Sequence, residues 1–315
     1  MNESSAPGAA RGPRAHDIGA HGLVVVAAES HDIRIRGVDG SEARVVAPAD
    51  GAGVETAVDP GRFSVRTLRL GGRPGFVGIQ IGSRGFGFPL GFGSSGTIEL
   101  EVPRDARVEV HTSSGDVALR DVLGGVGVKT ASGDVSLKRV ARSVAVEAAS
   151  GDVHVSAVEP VSLTARTVSG NVGARAPRFE HVAIETVSGD AELAGAFAPG
   201  PLHAVSTVSG DVDLAVAGGL TLEVKTISGD VDCSHPDRRS GDGRRHPLVV
   251  GDGAARFAVR SMSGDVDVRA ARRAAPEGED AGRESAGPSG VEGFALPPAP
   301  QLQVAQPPVS VRLYS

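Results

Sequence analysis

Three stretches of this chain have nearly the same sequence: residues 108–119 read VEVHTSSGDVAL, residues 126–137 read VGVKTASGDVSL, and residues 144–155 read VAVEAASGDVHV. Each is centred on the triplet Ser-Gly-Asp, which recurs further along the chain and once becomes Ser-Gly-Asn. The triplets are spaced by 18, 18, 19, 19, 21, 19 and 35 residues, with their serines at Ser114, Ser132, Ser150, Ser169, Ser188, Ser209, Ser228 and Ser263. Self-similarity at a short, nearly fixed period is typical of repeat architectures.

Apolar and polar residues alternate on both sides of every triplet. Positions six and four before the serine, and three and five after it, hold mainly Val, Leu, Ile and Ala. This alternation predicts a half-buried strand on each side. Glycine adopts backbone conformations closed to other residues, and the following Asp can bond its own backbone two residues on, so the triplet predicts a tight corner. The corner glycines are Gly115, Gly133, Gly151, Gly170, Gly189, Gly210, Gly229 and Gly264.

Two short strands and a corner cannot bury their own apolar side, whereas a stack of such units can. The sequence therefore predicts an all-β fold, a single-stranded parallel β-helix (β-solenoid) with Ser-Gly-Asp rungs of 18–21 residues. A series of antiparallel hairpins is the alternative, but it does not explain why each position keeps its residue type in every copy. The patterns of hexapeptide coils and of calcium-binding nonapeptide coils are absent.

Outside the repeats, the sequence predicts four further regions. Residues 1–22 read as a flexible N-terminus, residues 23–107 as an irregular β region with an N-terminal cap, and residues 271–315 as a flexible tail rich in Pro and Gly. The regular repeats occupy residues 108–270, interrupted by an inserted loop at residues 234–253.

Two segments invite more than one interpretation. Residues 71–96 carry four of the nine phenylalanines, which favours an apolar flap over the stack, with peripheral membrane contact through residues 76–92 as the alternative. The inserted loop contains a look-alike triplet at Ser240 and six basic or imidazole side chains. These side chains favour a solvated basic loop over an anion or metal site: Arg238, Arg239, Arg244, Arg245, His235 and His246.

Composition argues against several classes of function. With 32 basic and 38 acidic residues, a net charge of −6 and 3% aromatics, the chain lacks the phosphate contacts and stacking platforms of a nucleic-acid-binding protein. Cys233 is the single cysteine, so no internal disulfide is expected, and it occupies an inward column. The first residues contain no apolar signal-peptide core and no transmembrane segment is evident, which predicts a cytoplasmic location.

We find no catalytic motif such as Ser-His-Asp, HExxH, a P-loop or CxxC, and expect neither enzymatic activity nor a cofactor. One candidate metal site rests on the pairs Asp211 with Asp213 and Asp230 with Asp232, which a stack would arrange as an acidic grid. Clustered carboxylates suit calcium. The alternative is a plain acidic face whose corner aspartates are bonded to the backbone.

Two further columns of side chains can be assigned to a face of the strand from their odd or even distance to the inward valines. The threonines two positions before the serine point inward, which suggests hydroxyls bonded up the stack. The residues directly before the serine point outward unless the corner turns them inward. In the later rungs they form an apolar stripe of Val168, Val187, Val208, Ile227 and Met262.

The pattern V-x-T-x-S-G-D-V-x-L, together with the upstream stretch HDIRIRGVDG at residues 31–40, resembles the bacterial family of candidate adhesins related to toastrack domains, over roughly residues 23–270. The resemblance implies a parallel β-helix and a scaffold linked with cell-envelope stress. We therefore expect a non-catalytic interaction scaffold with an unidentified protein partner. An exported surface adhesin is the alternative, and a carbohydrate-active β-helix enzyme is least favoured because the rungs lack aromatic sugar platforms.

Overall fold

All regular elements of the described residues are β-strands: 22 belong to one sheet and two form a separate hairpin. This computed structural model confirms the all-β prediction. The described residues lie in the first of two compact units, residues 1–272. They are residues 15–47, 53–68, 75–81, 84–90 and 96–271, with the side chains of 75–90 excluded.

Each regular rung has a first strand before the corner and a second strand after it. In the middle of the stack, the second strand of one rung continues into the first strand of the next. The repeat strands are β10 (Arg107–Ser114), β11 (Val117–Arg120), β12 (Val126–Thr130), β13 (Val135–Ala148), β14 (Val153–Arg166), β15 (Val172–Glu185), β16 (Ala191–Phe197), β17 (Leu202–Ser206), β18 (Val212–Val216), β19 (Leu220–Lys225), β20 (Val231–Cys233), β23 (Ala255–Arg260) and β24 (Val266–Ala270).

The rungs pair in parallel and place like residues on like. Val108 pairs with Val126, and Val126 with Val144, in the first strands; Val117 pairs with Val135 in the second strands. All of these valines are buried. This register confirms the parallel β-solenoid and excludes the series of antiparallel hairpins for the repeats.

The corner glycines form a close backbone contact between neighbouring rungs. All eight have a positive φ, between +111° at Gly133 and +144° at Gly210, a region that side chains disfavour. A Cβ placed on Gly189 would overlap the carbonyl oxygen of Gly170 on the neighbouring rung, and the other seven corners are equally close to backbone. Glycine is therefore required both for its conformation and for its lack of a side chain.

The corner aspartates form a hydrogen-bonded ladder. The backbone N–H of Asp134 donates to Oδ1 of Asp116 at 2.9 Å, and the N–H of Asp152 donates to Oδ1 of Asp134 at 2.9 Å. The same bond recurs at every corner, including that of Asn171, whose amide oxygen replaces the carboxylate. These aspartates accept backbone N–H groups, but the donor belongs to the adjacent rung and not, as the sequence predicted, to the aspartate's own backbone two residues on.

The threonine column points inward as expected, but its hydroxyls do not bond up the stack. Those of Thr112, Thr130 and Thr226 donate to the serine carbonyl of their own corner, at 3.0, 2.8 and 2.9 Å. That carbonyl lies only two residues away in the chain. Four hydroxyls have no hydrogen-bond partner among the described residues: Thr167, Thr186, Thr207 and Ser261.

At the C-terminal end, the order of the rungs in the stack differs from their order in the chain. Ser263 bridges to Ser209 on one side and to Ser228 on the other. Strands β23 and β24 accordingly pair with β17 and β18 on one edge and with β19 and β20 on the other. The rung of residues 255–270 is thus inserted next to last. In the 35-residue interval between Ser228 and Ser263, the chain completes the last rung, forms the inserted loop and returns to the next-to-last rung.

The inserted loop closes this end of the stack. Strand β22 (Leu248–Val250) pairs antiparallel with β19, and β21 (Arg238–Ser240) pairs antiparallel with β22. Leu248 and Val250 are buried against the core. The loop is therefore a capping hairpin with a basic outer side, whereas the sequence suggested only a solvated basic loop.

The N-terminal end repeats the same construction. Strands β2 (Leu23–Ser30) and β3 (Asp32–Val38) form a regular rung that pairs with β10 and β11 on one edge. On the other edge they pair with β6 (Arg62–Leu68) and β9 (Thr97–Pro103), which form the outermost rung. The first rung in the chain is therefore second in the stack. The cap consists of β1 (Ala15–Asp17), β4 (Glu42–Ala47) and β5 (Gly53–Asp59), paired antiparallel on the outermost strands and on each other.

Ten rungs separate the two caps. Strands β7 (Gly75–Ile81) and β8 (Arg84–Leu90) form an antiparallel hairpin that leaves the outermost rung. The flap and membrane-contact interpretations depend on its side chains, which lie outside the described residues, as do residues 1–14 and the tail from residue 272. From the N-terminal to the C-terminal cap, the rungs stand in the order 62–103, 23–38, 107–120, 126–138, 144–156, 161–175, 182–194, 202–216, 255–270 and 220–233.

Replacing a corner glycine should be far more harmful than a matched change in the capping hairpin. Gly189→Val combines strain at positive φ with overlap of the rung below, and we expect it to lower the free energy of unfolding by roughly 2–5 kcal/mol. Ser240→Val, at an exposed position of β21, should change it by less than about 0.5 kcal/mol. Urea unfolding measures both, and equal losses would contradict the role assigned to the corner.

The aspartate ladder predicts a difference between two substitutions at one position. Asp134→Asn keeps an acceptor oxygen, as Asn171 does naturally, and should be nearly neutral. Asp134→Ala removes the acceptor for the N–H of Asp152 and should cost roughly 1 kcal/mol. Thermal unfolding of the two variants provides the comparison, and an alanine variant as stable as the asparagine variant would show that the ladder contributes nothing.

Candidate functional site

An exposed aliphatic ridge runs along the corner edge of the later rungs. The residue before each corner serine points outward there, and its exposed fraction is 39% at Val187, 43% at Val208, 54% at Met262 and 77% at Ile227. Val168, one rung earlier, is half-buried. Because the rung of residues 255–270 is inserted, Met262 lies between Val208 and Ile227 and makes the ridge continuous. We call these five residues the aliphatic ridge.

The backbone holds the ridge in place. The N–H of Ser209 donates to the carbonyl of Val187 at 2.9 Å, and the N–H of Ser263 donates to that of Val208 at 3.0 Å. Further bonds of this type link Ser188 to Val168 and Ser228 to Met262. The ridge residues therefore project from a fixed backbone, and little ordering is needed when a partner binds. In the earlier rungs the equivalent positions hold Ser113, Ala131 and Ala149.

A groove of about 240 Å³ lies beside the ridge, on the outer side of the first strands. Its floor includes Ala258, and Leu202 on its rim is 52% exposed. Arg260 and Lys225 are directly opposite each other on neighbouring strands of this groove. Like charges in this position repel, so the groove combines apolar surface with positive charge.

The four aspartates of the candidate metal site do not lie on adjacent rungs. The rung that carries Asp265 and Asp267 separates Asp211 and Asp213 from Asp230 and Asp232. The Oδ1 atoms of Asp211 and Asp265 each accept a backbone N–H from the next corner, at 2.8 Å.

Asp267 is the centre of the resulting grid. Burial and the nearby carboxylates of Asp213 and Asp232 raise the pKa of Asp267 above its usual value. Arg269 offsets part of the charge, because it forms ion pairs of 3.2 Å with both Asp213 and Glu192. Within the described residues, no group of three or more His, Cys, Asp or Glu side chains is placed to hold a metal ion. The calcium hypothesis stays a prediction.

In the capping hairpin, Asp242 organises the basic loop. Its Oδ1 accepts the backbone N–H groups of His246, Arg245 and Arg244 at 3.0, 2.8 and 3.1 Å, and these bonds lower its pKa. Arg238 donates to the carbonyl of Gly241 at 2.8 Å. The look-alike triplet thus shapes a turn of the cap and takes no part in the corner ladder.

The interior of the later rungs contains a buried histidine. His203 replaces the valine of its column and packs against Phe197 and Phe257, with ring centroids 5.3 and 6.0 Å away. Its Nε2 donates to the carbonyl of Ala198 at 2.9 Å. Burial lowers the pKa of His203, and burial also lowers the pKa of His31 and His111. Cys233, expected in the core, is half-buried and packs against it at the last rung.

Residues 23–269 match the model of the Toastrack DUF4097 family. The match extends over well more than half of the chain, and the protein belongs to this family. It begins with the rung of β2 and β3 and ends in β24, so it covers the stack, the C-terminal capping hairpin and the N-terminal cap except β1. A comparison with functionally curated proteins finds no match. The described residues contain no helix that is long and apolar enough to span a membrane.

Solved structures that are similar to this chain include a candidate cell adhesion protein from Clostridium sporogenes, which is 8% identical with a TM-score of 0.25. The similarity covers 82% of the present chain and 98% of that protein. A candidate adhesin from Bacteroides fragilis is 12% identical with a TM-score of 0.38, covering 81% of this chain and 95% of the other. This similarity is too low to assign a ligand or partner.

The buried histidines predict that the protein loses stability in acid. The unfolded chain binds protons below the usual histidine pKa of about 6.5, whereas the folded state keeps His203 neutral, so the free energy of unfolding falls as the pH drops below that value. His203→Leu should flatten the dependence between pH 7.5 and pH 5. Urea unfolding at a series of pH values tests this, with His154→Gln on the exposed face as the control. An unchanged profile in His203→Leu would contradict the assignment.

Proposed function

We propose that this protein is a non-catalytic interaction scaffold that binds a protein partner along the aliphatic ridge. The observation that carries the proposal is the ridge itself: five aliphatic side chains on consecutive rungs, of which four are 39–77% exposed and four have a backbone carbonyl that is hydrogen-bonded to the next corner. Contiguous apolar surface of this kind is uncommon on soluble monomers and marks interaction sites. Membership of the Toastrack DUF4097 family is consistent with a scaffold.

The composition of the rungs supports a division between structure and binding. The inward columns are filled by Val, Leu, Ile and Thr, which hold the stack together. The outward columns are not constrained by stacking and differ from rung to rung. The groove with Arg260 and Lys225 borders the ridge and would favour a partner segment that carries acidic residues beside apolar ones. The cytoplasmic location expected from the sequence is part of this proposal, and cell fractionation tests it.

Removing two ridge side chains should weaken partner binding about tenfold or more, because each buried valine contributes roughly 1.5 kcal/mol or more. The variant is Val187→Ser with Val208→Ser. The matched control is Val58→Ser with Val158→Ser, two valines that are also about 40% exposed, at 43% and 40%, but lie off the ridge. Quantitative affinity purification from the producing cells compares the proteins recovered. Partners lost with the ridge variant alone support the proposal, whereas equal recovery with both variants would refute it.

A further inference from the structure

The outer face of the second strands carries opposite charges at its two ends. Arg36, Arg120 and Lys138 occupy the same outward column on three consecutive rungs, since Arg36 pairs with Arg120 and Arg120 with Lys138 in the strand registers. All three side chains are exposed. None of them has an ion-pair partner among the described residues. On the outermost rung, Glu101 is in register with Arg36 but forms an ion pair with Arg44, and Glu99 forms one with Arg34. Neighbouring strands are about 4.8 Å apart, so the three stacked positive charges are offset only in part, by Glu101.

The basic end is also concave. A recess of about 550 Å³ opens beside these cations. Ala118 and Ser136, between the basic column and the corner, provide a low floor, and Val46 of the N-terminal cap, 43% exposed, borders the recess. The acidic side chains Glu99, Glu101 and Asp121 also line the recess, each in an ion pair with an arginine. The recess therefore offers room and a net positive charge near one end of the face.

The acidic end of the same face is formed by four consecutive rungs of the stack. Glu192 pairs in register with Asp213, Asp213 with Asp267, and Asp267 with Asp232. Arg269 forms ion pairs with Glu192 and Asp213 only. Asp267 and Asp232 keep uncompensated charge, and burial together with the neighbouring carboxylates raises the pKa of Asp267.

Two rungs separate the charged ends. They place His154 and Ser156, then Gly173 and Arg175, on the outer face. Three basic rungs thus stand on one side of this middle region and four acidic rungs on the other. In the column that holds Arg120 and Lys138 at the basic end, the acidic end has the small residues Ala194 and Ala215. Arg269 follows them in this column and is held by its ion pairs with Glu192 and Asp213.

We propose that this face binds the same face of a second copy of the chain in antiparallel orientation, with the basic end of each copy on the acidic end of the other. A two-fold axis near the middle rungs brings both charged ends into contact at once, and such an interface closes on itself as a dimer. Ala194 and Ala215 then lie opposite the long side chains of Arg120 and Lys138 and leave room for them to reach the neighbouring carboxylates.

Charge complementarity favours a second copy over a small anion as the occupant. A small anion would satisfy the basic end alone, whereas a second copy satisfies both ends with patches of matching length. The corner aspartates border the face, but their Oδ1 atoms are directed along the stack to the next backbone N–H. Ten rungs at about 4.8 Å give a contact roughly 45 Å long and only about two side chains wide. We therefore expect a dimer that dissociates on dilution.

The test uses two charge-reversed variants, Arg120→Glu with Lys138→Glu and Asp232→Lys with Asp267→Lys. Each variant alone juxtaposes like charges at both contacts, so its dimer should be about tenfold or more weaker than that of the wild type. An equimolar mixture of the two restores complementarity at both contacts and should form a heterodimer. Sedimentation velocity over a wide concentration range measures association, and thermal unfolding of each variant confirms that it is folded.

The ridge variant, Val187→Ser with Val208→Ser, separates this inference from the proposed function, because it should dimerise like the wild type. A wild type that stays monomeric, or a mixture that does not associate, would overturn the proposal. Dimerisation lost in the ridge variant and retained in the charge-reversed variants would also overturn it. A monomeric wild type stabilised by tripolyphosphate, but not after Arg120→Glu with Lys138→Glu, would assign the recess to a small anion instead.

Discussion

A close backbone contact recurs from one corner to the next, where the corner glycine faces a carbonyl oxygen of the adjacent rung. A side chain at this point would collide with backbone, and the corner needs a positive φ that other residues resist. The aspartate that follows then reaches the adjacent N–H with its carboxylate. These two contacts set the spacing and phase of every rung. The valine columns align along the stack because the corners are held in the same phase on successive rungs.

Much of this arrangement could be predicted from the sequence, because a repeat shows the same local environment many times. The two strands, the corner glycines and the inward threonines all follow from residue type at a fixed distance from the serine. The bonding of the threonine hydroxyls could not be predicted. For Thr130 the nearest acceptor is the carbonyl of Ser132 in its own corner, and this depends on corner geometry that residue type alone does not define.

The order of the rungs could not be predicted for a different reason. Repeats with the same residue type at each position can pair with almost any other copy. The sequence around Ser263 therefore does not show that its rung lies between those of Ser209 and Ser228. The candidate site depends on this order. It makes the ridge continuous through Met262 and separates the two predicted aspartate pairs. The repeats predict only the part of the basic column formed by Arg120 and Lys138, because Arg36 belongs to a rung that lacks the triplet.

The inserted rungs at the two ends have a mechanical consequence. In a simple stack the terminal rung has one bonded edge and can peel away one hydrogen bond at a time. Here the rungs nearest both chain ends, residues 23–38 and 255–270, are bonded along both edges. A force applied to either terminus must shear two ladders together, while the outermost rungs are held by their loops and caps. We therefore expect this fold to resist tension better than a solenoid whose rungs stack in chain order and whose terminal rungs can detach singly.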